Sequence, residues 1–291
     1  MKDVKIDILI PTYEPNEEFG RLLDMLKKQT VAINKIIIMN TLGTGLWSEF
    51  INKFSDDTKT VLEIHNLSRD EFNHGATRNA AVKYSDADYF ICMTQDAIPA
   101  DEFVIENLMK AFFENEKIKM AYARQLPKEN AGDIEKITRA FNYPDKSVIK
   151  TKEDIKTLGI KAFFASNVCC AYEREIFDRL GGFINKTDFN EDMMYASKLI
   201  RSGFAIKYCA DAKVYHSHNY SLMGQFKRNK AVAESQKLHP EYFGDVKSEG
   251  EGIKLVKTTA KELCKKGKWY KVPELIVVSG FKYLGYLAGK G

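Results

Sequence analysis

Four short stretches of the 291-residue sequence carry side chains able to do chemistry. In "DYFICMTQDAIP" (88–99) an apolar run ends in Thr94, Gln95 and Asp96, and Pro99 stops it. A carboxylate there is either a turn residue or a metal or substrate ligand at the carboxyl end of a buried strand, where open α/β folds place their ligands. In "NED" (190–192), Glu191 and Asp192 open a helical pattern. A helix N-terminus favours the ionised carboxylate that a general base needs, although acids in first turns also serve stability alone. "VYHSHN" (214–219) holds His216 and His218, either a polar loop or a pair of imidazole ligands. "HGATRN" (74–79) holds Arg78, whose guanidinium suits planar polar edges and phosphate oxygens unless it is simply solvated.

The elements that must position these residues follow from periodicity. "KIDILIPTY" (5–13), "NKIIIMN" (34–40), "TVLEIHN" (60–66) and "DYFICMT" (88–94) read as buried strands. Helical spacing falls between them at 16–29, in a short piece at 46–54, and at 75–85. That alternation predicts a parallel sheet with crossover helices. Further apolar segments follow at 118–126 and 161–173, helices are expected at 174–183 and 191–204, and 205–219 reads as a strand leading into a histidine loop. Residues 127–160 are charged and weakly periodic, and read as a loop over a site.

Composition narrows the class. A hydrophobic content of 44% supports an ordinary globular core. Five cysteines without a C-x-x-C pair argue against a disulfide framework or zinc knuckle and for a reducing, cytoplasmic compartment. The first residues lack a signal-peptide pattern, and no apolar run of transmembrane length occurs. The net charge is +4, but residues 247–291 hold ten lysines and four glutamates, +6, so the first 246 residues sum to −2. Lys254, Lys257, Lys261, Lys265 and Lys268 stack on one helical face, and "ELIVVSGFKYLGYLAG" (274–289) is strongly apolar. A basic amphipathic helix followed by an apolar one fits a membrane surface through 247–291; the competing reading is a helix packed on the protein itself or on another subunit. Nothing points to nucleic acid.

Taken in order, "ILIPTYEP" (8–15), "NHGATRNAA" (73–81), "MTQDAIP" (93–99), "SNVCCAYEREIFDRLGGF" (166–183), "NEDMMYASKLIRSGF" (190–204) and "VYHSHNYSL" (214–222) resemble glycosyltransferase family 2 over about residues 5–225. The "TQDA" and "HSHNYSL" segments resemble its bacterial rhamnosyltransferase branch. The resemblance implies a GT-A-like α/β fold, a mainly parallel sheet flanked by helices, with a catalytic domain at 1–225 and a basic helical appendage at 226–291. It also implies an inverting enzyme that moves a sugar, L-rhamnose from dTDP-L-rhamnose, onto a lipid-linked or cell-surface polysaccharide acceptor. The implied location is cytoplasmic, peripheral on the inner membrane face, and the oligomeric state stays open.

By the same resemblance Asp192 is the base and Glu191 orients the acceptor or nearby backbone. Asp96 is the one surviving acid of the family's D-x-D motif, and it binds Mg2+ or Mn2+ with His216, or alternatively with His218. The nucleotide sugar falls to Pro11, Thr12, Tyr13, Glu14, Asn40, Arg78, Thr94, Gln95, Asp96 and Arg228. Asn167, Gly181 and Gly182 fall near the sugar and acceptor. Two other readings are a sugar-nucleotide nucleotidyltransferase, against which the acidic "ILIPTYEPNEE" argues, and a non-catalytic GT-A scaffold of a polysaccharide assembly complex.

Overall fold

The computed structural model describes residues 4–41, 54, 60–187, 189–246 and 250–291. The short helix expected at 46–54 therefore lies outside the described residues, apart from Phe54, which is buried.

A nine-stranded sheet forms the centre. Its strands are β1 (Ile6–Tyr13), β2 (Lys35–Thr41), β3 (Val61–Leu67), β4 (Tyr89–Met93), β5 (Ile98–Pro99), β6 (Ile118–Leu126), β7 (Val148–Lys150), β8 (Cys169–Glu173) and β9 (Ala205–Tyr215). The order is β3-β2-β1-β4-β8-β6-β9-β5, with β7 also on β9. β1, β2, β3 and β4 pair in parallel, as do β6 and β9, whereas β8 runs antiparallel between β4 and β6. Ile8, Leu9 and Ile10 are fully buried in succession, because apolar groups cover both faces of the sheet.

Helix α1 (Glu17–Lys27) shows how the sequence sets the layers. The Asn16 side chain accepts from the Glu18 amide and caps the helix, with Glu17 and Glu18 in its positive first turn. Phe19, Leu22, Leu23 and Leu26 then turn one stripe onto the sheet, and burying each side chain contributes roughly 1.5–3 kcal/mol. Helices α2 (His74–Tyr84), α3 (Val104–Glu114) and α5 (Arg174–Arg179) continue the layers.

Residues 127–160 are not the loop the sequence suggested: they form helix α4 (Asp133–Asn142) and β7. The stripe of α4 is covered by the C-terminal region, where Ile137 packs with Leu263 and Leu275. Lys268 and Lys271 ion-pair with Asp133 at 2.5 and 2.8 Å. The partners that cover this stripe lie more than a hundred residues away in the sequence.

Helix α7 (Leu222–Leu238) spans the 225/226 boundary expected between catalytic domain and appendage. It packs along the last helix, α9 (Val272–Lys290), while α8 (Glu251–Lys265) packs on α4. The approach of α7 and α9 is close enough to require glycine. A Cβ at Gly285 would lie 2.3 Å from the Phe226 carbonyl oxygen, and one at Gly289 2.3 Å from that of Lys230. One face of the tail is thus packed on the protein itself. Its outer face exposes Trp269, Tyr270, Ile276, Tyr283 and Leu284.

Candidate active site

The carboxyl ends of β1, β2 and β4 lie side by side. Buried Thr12 donates to the Asn40 side-chain oxygen at 3.3 Å, and Asn40 donates to Asn66 at 2.8 Å. Tyr13 follows, exposed, with the Arg69 guanidinium 5.6 Å from its ring. Glu14 takes a left-handed backbone (φ 44°) that turns the chain after Pro11–Tyr13. Gln95 spends both ends of its amide on the Tyr13 backbone, at 2.9 and 3.0 Å, and so ties the loops after β1 and β4 together.

Asp96 meets both candidate histidines. Its Oδ2 lies 3.5 Å from His216 Nε2 and 3.4 Å from His218 Nε2, and the two nitrogens are 3.1 Å apart. Ligands of a single cation at bonds of about 2.1 Å stand about 3.0–3.4 Å from one another, so the cluster fits one metal ion and leaves open positions on it. Gln125 orients the first imidazole: its Oε1 accepts from His216 Nδ1 at 3.0 Å, which turns Nε2 with its lone pair toward Asp96. Gln125 is itself held by Arg139, by the Tyr143 hydroxyl at 2.7 Å and by Ser166 at 3.0 Å. Burial opposes ionisation of Asp96, yet its surroundings, the Thr94 hydroxyl and Lys128 among them, hold the carboxyl below its ordinary range. Burial keeps His216 neutral, its pKa lowered to about 3, and neutral imidazole is the ligating form.

The second acidic centre sits at the start of α6 (Glu191–Arg201). Asp192 accepts from the Asn167 amide at 3.0 Å and from the Met193 amide at 2.7 Å. The helix terminus nonetheless does not dominate. Burial, with neighbouring Glu191, raises the Asp192 pKa to about 7, against the expectation of a carboxyl favoured as the anion. Glu191 is the opposite case: burial opposes its charge, but Arg78, His74 and Asn167 outweigh that and keep it ionised. Arg78 is buried, 3.2 Å from Glu191, and donates to the His74 carbonyl at 3.1 Å. Asn167 donates to Glu191 at 3.0 Å and accepts from the Tyr172 hydroxyl at 2.6 Å, so its side chain braces the acid pair.

One cavity of about 540 Å³ joins these centres. Asp96, His216, His218 and Thr94 line one part, and Arg78, Asn167, Glu191 and Asp192 another. Arg139 of α4, Arg228 of α7 and Lys282 of α9 line a third. Gly181 and Gly182 are not in its lining; they form a left-handed turn (φ 75° and 65°) after α5. Gln125, Arg139 and Lys282 escaped the sequence reading, although Glu135 and Arg139 at i,i+4 were a legible helical signal.

Below the cavity wall, buried Lys150 donates to the carbonyls of Lys161 and Phe164 at 3.2 and 2.5 Å and to the Tyr122 hydroxyl at 3.1 Å, fixing the segment that leads to Asn167. Burial lowers its pKa from 10.5 to about 7. Between those values the unfolded chain binds more protons than the folded one, so the cost of burying this group fades, and stability rises, as pH rises above 7. From pH 7 to pH 9 wild type should gain about 2 kcal/mol relative to Lys150→Met. Urea unfolding of both proteins at each pH measures the difference, and equal pH dependence would count against it.

The sheet order and the cavity at its carboxyl ends define a GT-A glycosyltransferase fold. A mannosyltransferase from Pyrobaculum calidifontis, solved with GDP-Man and Mn2+, superposes with a TM-score of 0.67 at 12% identity, covering 98% of this chain and 87% of that one. TarS residues 1–349 of S. aureus, solved with UDP-GlcNAc, superposes at 0.58 and 13%, covering 98% and 90%. The chain belongs to glycosyl transferase family 2, whose model matches residues 7–181. It is 38% identical to the O-antigen chain rhamnosyltransferase RfbN of Salmonella typhimurium, over 99% of this chain and 90% of that protein. It is 33% identical to the O-antigen chain rhamnosyltransferase WbaN of Salmonella anatum, over 97% and 88%. A nucleotidyltransferase is therefore set aside.

Proposed function

We propose that the protein is an inverting rhamnosyltransferase that moves L-rhamnose from dTDP-L-rhamnose to a glycan acceptor, a lipid-linked oligosaccharide of a cell-surface polysaccharide. The observation that carries this reading is a carboxyl poised near neutral pH, Asp192, in one cavity with the Asp96–His216–His218 cluster. Asp192 takes the proton of an acceptor hydroxyl as that oxygen bonds to the anomeric carbon. The bond from that carbon to the diphosphate oxygen breaks, and dTDP leaves with the electron pair. Asp96, His216 and His218 would hold a divalent cation, which supplies charge to the departing diphosphate. Two imidazoles in the donor set favour Mn2+ over Mg2+, which prefers oxygen. Thymine and ribose fall to the loop Pro11–Glu14 and Asn40, with Tyr13 stacking on the base.

A panel of nucleotide sugars with Mn2+ and lipid-linked acceptors tests the reading. Transfer from dTDP-L-rhamnose, and not from GDP-mannose or UDP-GlcNAc, is expected. Transfer only from another donor overturns it.

The scaffold alternative gains nothing from this site, since both acidic centres are intact. We place the enzyme on the cytoplasmic face of a membrane. No helix of the described residues is long and apolar enough to cross one, but the C-terminal region exposes both Trp269 (69% exposed) and Ile276 (62% exposed) and Lys254, Lys257, Lys261 and Lys265. Each lysine near an anionic surface contributes about 1 kcal/mol. Changing these four lysines to glutamate should abolish flotation with anionic liposomes; unchanged flotation would remove the tail from this role.

A further inference from the structure

Arg139, Arg228 and Lys282 reach the cavity from three different helices, two of them beyond the residues matched by the family model. Glu135 pairs with Arg139 at 2.7 Å and is the carboxylate that acts on Lys282. Arg228 is held between the rings of Phe189 and Tyr220, 5.5 and 5.6 Å from their centres, which orient a guanidinium without neutralising it. Lys282 is half-buried, and no hydrogen bond or ion pair joins it to the described residues. Three cations against one carboxylate leave this wall with a charge of two. Burying an ammonium among like charges is costly unless a ligand compensates it.

We propose that Arg139, Arg228 and Lys282 form an anion subsite for a diphosphate group, completed by the C-terminal helix. A diphosphate substituted at both ends carries two negative charges, equal and opposite to the wall. The donor carries such a group, and so would a lipid-linked acceptor joined to its lipid through a diphosphate. The acceptor is favoured by placement: the outer face of α9, which carries Lys282, exposes Ile276, Tyr283 and Leu284, so a lipid-anchored diphosphate would meet this wall at a bilayer surface.

The identification of substrates rests on the proposed rhamnosyl transfer, but the subsite can be tested without it. Calorimetry with inorganic pyrophosphate in EDTA compares wild type, Lys282→Met, Lys282→Arg and Arg228→Ala. Loss of one charge-assisted contact predicts about tenfold weaker binding in Lys282→Met and Arg228→Ala, and recovery in Lys282→Arg. Where the group is the acceptor's, Lys282→Met also raises KM for a diphosphate-linked acceptor, but not for the same glycan without diphosphate, and leaves dTDP affinity unchanged. Where it is the donor's, dTDP affinity falls with that for pyrophosphate. Equal pyrophosphate affinity in all four proteins overturns the subsite. A wild type that transfers no rhamnose yet shows the Lys282 dependence overturns the substrate reading and leaves the subsite standing.

Discussion

Asp192→Asn is expected to lower kcat by about a hundred- to ten-thousandfold, the usual cost of removing a general base, with dTDP affinity changed by less than about twofold. The amide keeps the size of the carboxyl but cannot take the acceptor proton. Two backbone amides, of Asn167 and Met193, donate to the carboxyl oxygens, so the asparagine NH2 must face one of them. That costs about 1–3 kcal/mol for the unmet donor. An opposing gain comes from charge. Burial and Glu191 raise the folded pKa of Asp192 from 3.8 to about 7, so ionising it costs stability as pH rises between those values, and the asparagine escapes that cost. The variant should therefore fold, as circular dichroism and thermal melts would show. The same pKa predicts the wild-type profile: kcat/KM falls about tenfold per unit below pH 7, where the base is protonated, and levels off above it. Wild-type-like turnover by Asp192→Asn would sink this residue as the base.

Particular residues explain how far the sequence could be read. The β-branched runs of β1 and β2 are buried on both faces, so they betray their strands without any tertiary information. Asp96 and Asp192 stand at element ends, where chain direction alone puts them near a cavity. Arg78 was ambiguous because its partner, Glu191, is more than a hundred residues away; only the folded chain turns a solvated-looking arginine into a buried counter-ion. The resemblance favoured His216 and kept His218 as the alternative, because residues two positions apart in a loop give no local reason to exclude either. The chain leaves β9 at Tyr215, and in the irregular segment that follows both imidazoles turn to Asp96. The Gln95 amide and the α7–α9 contact depend on distant backbone, and no pattern in the chain reports such partners.

Asp96→Ala should abolish transfer, with Mn2+ affinity reduced beyond about a hundredfold, because it removes the only anionic member of the cluster. His216→Ala and His218→Ala each remove one neutral ligand and should weaken Mn2+ binding by less. Their difference is informative: His216 is clamped by Gln125, whereas His218 is more exposed and packs by its ring against Tyr220. A pre-oriented ligand loses less entropy on binding, so the His216 substitution should be the more costly of the two. Gln125→Leu leaves every ligand in place but removes the acceptor that fixes the His216 tautomer, and about a tenfold loss of affinity is expected. Titrating Mn2+ followed by electron paramagnetic resonance reads these affinities without turnover, and chelation of wild type should reproduce the Asp96→Ala activity loss. Equal Mn2+ affinity in wild type and Asp96→Ala would remove the metal from this cluster. The charge on the departing diphosphate would then fall to Lys128, 3.7 Å from Asp96.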